Sequence, residues 1–439
     1  GSWAGDLYDH LLDIPKRINP SNQPFSRCCI YKEQAISTER VKLAIGGSNH
    51  PHVVEVIDIA CDECPVGGYE VTSGCRGCLA HKCQNACPRN AISFDHNNRA
   101  IIDKSKCIEC GLCSKVCPYS AIVNHQRPCI KACEVKAIST DHQKVAVIDY
   151  DACVECGACV SQCPFGALMD KSYMIDVIDM IKHQSSEQKV IAVLAPSIAS
   201  QYHRVDVEQV IGGIYKLGFD DVVEAAKGAD MVSRLETEEL LEKSFLTSSC
   251  CPAFVNLIDK HYPDLKQYIS HNKSPMAVVG EMIKNENPQA KVVFIGPCIA
   301  KKGEALKVSV RENIDAVITF EELDVLFDSC QINLEECRAH TIQDASYFGR
   351  IFAKSGGLIE SVIHQVKHQQ PNLEIQAIQC NGLKECIRAL KKKAKNVNVG
   401  DFIEGMACQG GCIGGPGSLS HAPKDTIKVE HFSKKGMSY

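Results

Sequence analysis

The sequence predicts an α+β array of small cysteine-rich modules followed by an α/β domain built on parallel sheets. Three observations predict it. Sixteen of the 27 cysteines fall between residues 61 and 163. After Lys171 that density collapses, and apolar residues take up helical and strand periods in alternation. The later cysteines then recur where apolar runs end, as ligand-binding loops follow the strands of open α/β sheets.

Composition narrows the function classes. The 439 residues suffice for two or three domains and a substantial core. A formal net charge of −5 argues against nucleic acid as the main partner. No apolar run approaches the ~18 residues of a membrane helix, so no membrane partner is expected. A cytoplasmic protein is the expectation, which makes a disulfide framework a poor account of the cysteines. Zinc is the better alternative for CxxC pairs. The CxxCxxCxxxCP spacing, however, belongs to iron–sulfur ferredoxins.

Residues 1–60 form an N-terminal segment of unclear role. Cys28 and Cys29 are adjacent there, a spacing that rarely serves one cluster, and Val53 to Ile59 reads as a short strand. Residues 61–170 are a degenerate repeat. Its first unit is Cys75, Cys78, Cys83 and Cys87-Pro88; its second is Cys107, Cys110, Cys113 and Cys117-Pro118. The third keeps only Cys129 and Cys133, and the fourth is Cys153, Cys156, Cys159 and Cys163-Pro164.

Spacing tells which units pair. Cys87 to Cys107 and Cys133 to Cys153 are both 20 positions, whereas Cys117 to Cys129 is 12. In two-cluster ferredoxins the fourth cysteine of each unit binds the other unit's cluster. Two tandem two-cluster modules follow, units one with two and three with four. The third unit's missing CxxC has a counterpart in Cys61-Asp62-Glu63-Cys64. Cys61 and Cys64 are therefore expected to join Cys129 and Cys163 around a fourth upstream [4Fe–4S] cubane; the alternative is a vestigial site, with the pair free or on zinc.

Residues 171–439 read as the α/β domain. Met174, Val177, Ile178 and Ile181 share one helical face, and so do Val207, Val210, Ile211 and Ile214. Strands are expected at Val190–Leu194, Val292–Ile295 and Leu373–Ile378, with a basic-ended helix over Leu383–Lys392. Gly212-Gly213 lies inside a helical pattern and is read as a packing feature. No glycine-rich strand–helix loop suggests a nucleotide or flavin site.

Three segments carry a resemblance. They are Ser248-Ser249-Cys250-Cys251-Pro252, Pro297-Cys298-Ile299-Ala300-Lys301-Lys302-Gly303-Glu304, and Glu404-Gly405-Met406-Ala407-Cys408-Gln409-Gly410-Gly411-Cys412. In this order they resemble the signature of the [FeFe]-hydrogenases, over roughly residues 170–420; the degenerate upstream array is similar to that of the group B branch. The resemblance implies an H-cluster. Cys251, Cys298, Cys408 and Cys412 would hold its [4Fe–4S] part, and Cys412 would bridge to a diiron subcluster with CO, CN and azadithiolate ligands. A cubane alone is the alternative for these thiols. Soft thiolates on three loops suit either.

The same resemblance implies roles for neighbours. Lys301 would donate a hydrogen bond to a cyanide ligand and Ser197 would offer a backbone donor to another, with Met406 beside them. Cys250 would be the proton relay next to the metal, served by Glu236, Ser270 and Glu239. Glu236 and Glu239 are three apart on a helical pattern, which otherwise reads as a solvated face. Ser248, Phe254, Gly296 and Met276 depart from the residues common in the family and leave catalytic bias open. Cys330, Cys337, Cys380 and Cys386 lack metal spacing and are expected to be ordinary thiols.

The function implied is reversible H2 oxidation and proton reduction, with H2 and protons as substrates and a soluble ferredoxin as electron carrier. Maturation proteins would supply the diiron unit. A non-catalytic H2 sensor and an iron–sulfur assembly factor are the alternatives; Cys250 weighs against the sensor, and Cys250, Lys301 and the glutamates weigh against the assembly factor.

Overall fold

The computed structural model describes residues 10–48, 50–64, 67–243, 245–422 and 424–437; Pro65, after the Cys61–Cys64 pair, and the first nine residues of the N-terminal segment lie outside them. Each cysteine-rich module has the same plan. In the first, the hairpin Ile92–Phe94/Ala100–Ile102 lies between the two units. An outer antiparallel pair, Tyr69–Val71 with Ile122–Asn124, closes its ends. In the second, the hairpin is Ile138–Thr140/Ala146–Ile148 and the outer pair is Val54–Val56 with Leu168–Asp170.

This plan corrects the simple tandem. The opening strand of the second module, Val54–Val56, precedes the whole of the first module in the chain. The first module is therefore an insertion into the first unit of the second, between Cys64 and Cys129. Residues 53–60, placed in the N-terminal segment on sequence, belong to the second module's core: Val53, Val54, Ile57 and Ala60 are buried with Cys61, Cys129 and Ile148. The helix Ile30–Ala44 covers that core with Ile36 and Leu43. The expected strand at Val53–Ile59 shortens to Val54–Val56 because Asp58–Ala60 turns into a 3-10 helix leading to Cys61.

Two parallel sheets make up the α/β domain. One has the order Asp221–Glu224, Val190–Leu194, Lys291–Gly296, Ala316–Thr319. Val190–Leu194 is buried at every residue, as a central parallel strand covered on both faces must be. The other has the order Leu246–Thr247, Phe402–Met406, Ala377–Asn381. That last strand begins four residues later than the apolar pattern Leu373–Ile378 suggested; exposed Leu373 lies in the turn before it. In the helix Val207–Leu217, Gly212 admits the Arg338 carbonyl oxygen to within 2.0 Å of where a Cβ would stand, so it is a packing position.

A buried ion pair ties the first sheet to the chain's end. Arg350, 1 % exposed, donates from Nε and Nη2 to the two Glu224 oxygens at 2.7 and 2.6 Å, and its guanidinium lies 4.3 Å from the Phe432 ring centre. Removing one member leaves an uncompensated charge. Arg350→Met is expected to lower stability by about 3–5 kcal/mol, measured as a fall in the urea unfolding midpoint followed by circular dichroism. A loss within the ordinary range of a surface substitution contradicts this account of the pair.

Candidate metal centre

The C-terminal ends of both sheets meet at one cavity. Cys250 and Cys251 follow the strand Leu246–Thr247, Cys298 follows Lys291–Gly296, and Cys408 and Cys412 follow Phe402–Met406. Ser197 follows Val190–Leu194. All of these, with Lys301, Met406 and Met276, line a cavity of about 90 Å³ whose remaining wall is apolar, including Ala195, Pro196, Phe294 and Phe352. A single water needs ~10–15 Å³ by this measure, so there is room for a multi-atom group.

Burial dominates the chemistry here. It pushes the Cys412 thiol up to about 12, and the Cys250, Cys251, Cys298 and Cys408 thiols upward as well. Such thiols are thiolates only beside a strong positive charge, which a metal supplies. Lys301 is held in place by Glu304 at 2.6 Å and the Cys250 carbonyl at 3.3 Å. Ser197 Oγ is buried with no hydrogen-bond partner among the described residues, as a donor awaiting a ligand would be. The donor set and this orphaned hydroxyl fit a cubane with an adjoining ligand-bearing metal unit.

Two hydrogen-bonded carboxylates lie to one side, Glu236 with Ser249 and Glu239 with Ser270, and Glu236 Oε2 has no partner among the described residues. Glu236 and Glu239 both lie on the helix Ala225–Glu242. Glu236 is fully buried, and its Oε1 accepts from the Ser249 amide and hydroxyl, both at 3.0 Å. Burial raises it to about 7 against the pull of these donors. Ser270 Oγ donates to Glu239 Oε2 at 2.8 Å, and Glu239 Oε1 takes Lys243 Nζ at 2.6 Å. Glu239 reaches the surface: the Lys243 and His271 side chains beside it are 33 % and 77 % exposed.

Several residues support the site through contacts that the sequence did not show. Glu404, inside the buried strand Phe402–Met406, accepts from the Gly356 and Ile359 amides at 2.6 and 3.0 Å. It thereby fixes the turn whose Ser355 amide donates to Gly410 in the CxxxC loop. An acid in an otherwise apolar run was the signal for it. Phe254 lies against Gly405, where a Cβ would come within 2.3 Å of the ring. At Gly296 a Cβ would meet the Phe294 ring at 2.6 Å, so a larger residue there requires that ring to leave the cavity wall.

The upstream thiols gather in sets. Cys75, Cys78, Cys83 and Cys117 line one small cavity, Cys87, Cys107, Cys110 and Cys113 a second, and Cys133, Cys153, Cys156 and Cys159 a third. Cys61, Cys129 and Cys163 pack in one core, and burial, then the charges of Cys163, Cys61 and Cys64, raise the Cys129 thiol to about 11. The third set faces the large cavity. A Cβ on Gly157 would lie 2.7 Å from Ile299, next to Cys298, and 2.8 Å from Pro416. Among the other cysteines, Cys337, Cys380 and Cys386 are buried in the α/β domain and Cys330 is exposed, and none of these four lines the cavity. Cys28 and Cys29, with sulfurs 4.0 Å apart, precede the helix Ile30–Ala44.

Comparison with known proteins gives the class. Residues 188–416, more than half of the chain, match the family described as iron only hydrogenase large subunit, C-terminal domain. Residues 74–121 match a 4Fe-4S dicluster domain and 146–169 a 4Fe-4S binding domain. The chain belongs to the iron-only hydrogenase family and carries ferredoxin-like 4Fe-4S domains ahead of it. It is 29 % identical over 319 residues to iron hydrogenase 1 of Clostridium pasteurianum, covering 60 % of this chain and 55 % of that protein. It is 28 % identical over 407 residues to the periplasmic [Fe] hydrogenase large subunit of Nitratidesulfovibrio vulgaris, covering 77 % and 91 %. The cytosolic Fe-S cluster assembly factor NAR1 of Eremothecium gossypii is 25 % identical over 234 residues, 40 % of this chain and 52 % of that one. Apo [FeFe]-hydrogenase HydA1 from Chlamydomonas reinhardtii shares the fold, with a TM-score of 0.50 at 22 % identity over 60 % of this chain and 88 % of that one. No helix among the described residues is long and apolar enough to cross a membrane.

A buried carboxyl that titrates near neutrality leaves an infrared signature. With its pKa raised to about 7, Glu236 is protonated below that pH and ionised above it. Glu404 is likewise raised to about 7 by burial. A protonated-carboxyl band is expected at pH 6 and is expected to fade by pH 8. Glu236→Gln should remove part of it. An unchanged band in that variant contradicts the assignment.

Proposed function

We propose that the chain is a catalytic [FeFe]-hydrogenase that interconverts two protons and two electrons with H2, in the cytoplasm, exchanging electrons with a soluble ferredoxin. One observation carries the reading. The thiol-lined cavity has Cys250 in its wall; buried Glu236, whose charge acts on that thiol, keeps its Oε2 unpartnered among the described residues, and Ser270 pairs with Glu239, which reaches the surface. An electron-transfer or scaffolding cluster has no use for a proton path. Four upstream cubanes, held by the four cysteine sets, would conduct electrons.

Cys251, Cys298, Cys408 and Cys412 would hold the H-cluster. When bound, that group supplies an iron site at which protons and electrons combine. Every other task falls to the chain. Cys250, kept in its thiol form by burial and by Glu236, is a proton-carrying group in the cavity wall. Glu236, near pH 7 in pKa, accepts or returns that proton without a large driving force. Ser270 and Glu239 pass it to water. Lys301, fixed by Glu304, places a buried cation where anionic ligands would lie. The apolar wall of Phe294, Met276 and Phe352 keeps bulk water away.

The similarity to NAR1 makes an assembly or scaffolding role the second reading. It needs the cubane but neither the Cys250 thiol nor the Glu236 path. Turnover separates the two. Cys250→Ala is expected to keep its full iron while viologen-driven H2 evolution falls by roughly a hundredfold or more, as lost acid–base catalysis does. Cys251→Ala is expected to lose cluster iron itself. Equal activity in Cys250→Ala and the parent chain contradicts the relay, and no H2 evolution by the matured parent chain favours the second reading.

A further inference from the structure

The two cubane sites of the second module lie in one core, yet their electrostatic surroundings are opposite. At the site of Cys61, Cys64, Cys129 and Cys163 the buried cation is Arg127, 3 % exposed. Its Nη1 donates to Cys61 Sγ at 3.4 Å, and the Ala146 amide donates to the same sulfur at 3.4 Å. Arg40, half-buried behind Cys163, donates to the Phe165 carbonyl at 2.7 Å and feels the charge of Cys163. Arg27 reaches the same carbonyl at 3.3 Å, its charge offset by Asp62 and Glu63 at 3.3 and 3.8 Å.

The site of Cys133, Cys153, Cys156 and Cys159 has a carboxylate instead. Glu155, whose side chain is 13 % exposed, lines it. His52 meets that carboxylate at 3.3 Å, and exposed Lys260 bonds the Cys153 carbonyl from outside at 2.7 Å. The cations that line the first module's sites, Arg76, Lys82 and Arg89, are all exposed, where water and salt screen them.

Reduction adds one negative charge to a cubane already carrying four thiolates. No bond is made or broken; one electron arrives from the reduced carrier side and the same electron leaves toward the next cluster. Net charge and hydrogen bonds to the sulfurs set how readily this happens. In a low-dielectric core a cation touching a thiolate favours the extra charge, and a carboxylate beside the cluster opposes it.

We propose that the cubane of Cys61, Cys64, Cys129 and Cys163 is reduced before its neighbour on Cys133, Cys153, Cys156 and Cys159, because Arg127 stabilises its reduced form. An electron entering from the inserted module then rests there, one cluster short of the one that faces the H-cluster cavity. The proposal rests on the reading of four upstream cubanes given above. It identifies Arg127 as a positioning residue for charge and gives the split site a role: the insertion that separates its ligands also places it where the inserted module joins the second.

The test is a potentiometric titration of the reconstituted full chain, followed by electron paramagnetic resonance and accompanied by iron analysis. Five cubanes and a diiron unit hold about 22 iron. A signal that disappears in Cys64→Ala belongs to the split site. It is expected to appear before the other signal of the second module, and to move to lower potential in Arg127→Gln with iron unchanged. An unmoved signal at full iron overturns the proposal, as does a Cys64-dependent signal that appears after its neighbour's. Should Arg127→Gln lose four iron, Arg40→Gln carries the test, since Arg40 bonds a carbonyl and no thiol; a smaller shift of the same sign supports the proposal and no shift overturns it. A parent chain with about 18 iron, lacking the Cys64-dependent signal, removes the cubane itself and so overturns the underlying reading instead.

Discussion

Four buried thiols at the meeting of two parallel sheets set the terms for the rest of the molecule. Cys251, Cys298, Cys408 and Cys412 come from loops that follow three different strands, and burial raises each of them above an ordinary thiol. A metal compensates that cost, and the loops must be held rigidly enough for one group to satisfy them all. The holding is visible. Glu404 fixes the turn at Gly356, that turn pairs with Gly410 and Gly411, and the Asn381 side chain accepts from the Gly410 amide at 2.6 Å. Phe254 packs directly on Gly405 in the strand that leads into Cys408.

The same cavity dictates what must surround it. On the proposed reading, electrons would reach the buried site through the second module, which packs Gly157 against Ile299 and Pro416. Protons would need polar groups in a wall that is otherwise apolar, and Glu236 with Ser249, and Ser270 with Glu239, would be those groups. The rest of the cavity wall, Phe294, Met276 and Phe352 among it, is apolar.

Much of this was legible in the chain, because metal sites constrain sequence more tightly than packing does. Cysteine spacing suggested which units pair, and the three signature segments converge on one cavity. What was not legible depends on contacts distant in sequence. The strand Val54–Val56 is three residues long, and only its pairing with Leu168–Asp170 reveals that one module is inserted in the other. The strand at Ala377–Asn381 was placed early because apolar Leu373 sits in an exposed turn that mimics a strand start. Arg127 precedes the helix Pro128–Ala132 and reads as an ordinary surface cation until the fold buries it against Cys61. Glu404 was visible as a lone acid in an apolar run, but its partners Gly356 and Ile359 lie more than forty residues away.

The central claim is that the cavity lined by Cys250, Lys301 and Ser197 holds a diiron unit beside its cubane, and infrared spectroscopy addresses it most directly. CO and CN ligands absorb in a window that proteins leave empty. The chain, matured with the proteins that assemble such units, is predicted to show sharp CO and CN stretching bands that shift between H2-reduced and oxidised samples. A chain with all its cubanes intact and no such bands after the same treatment would contradict the account.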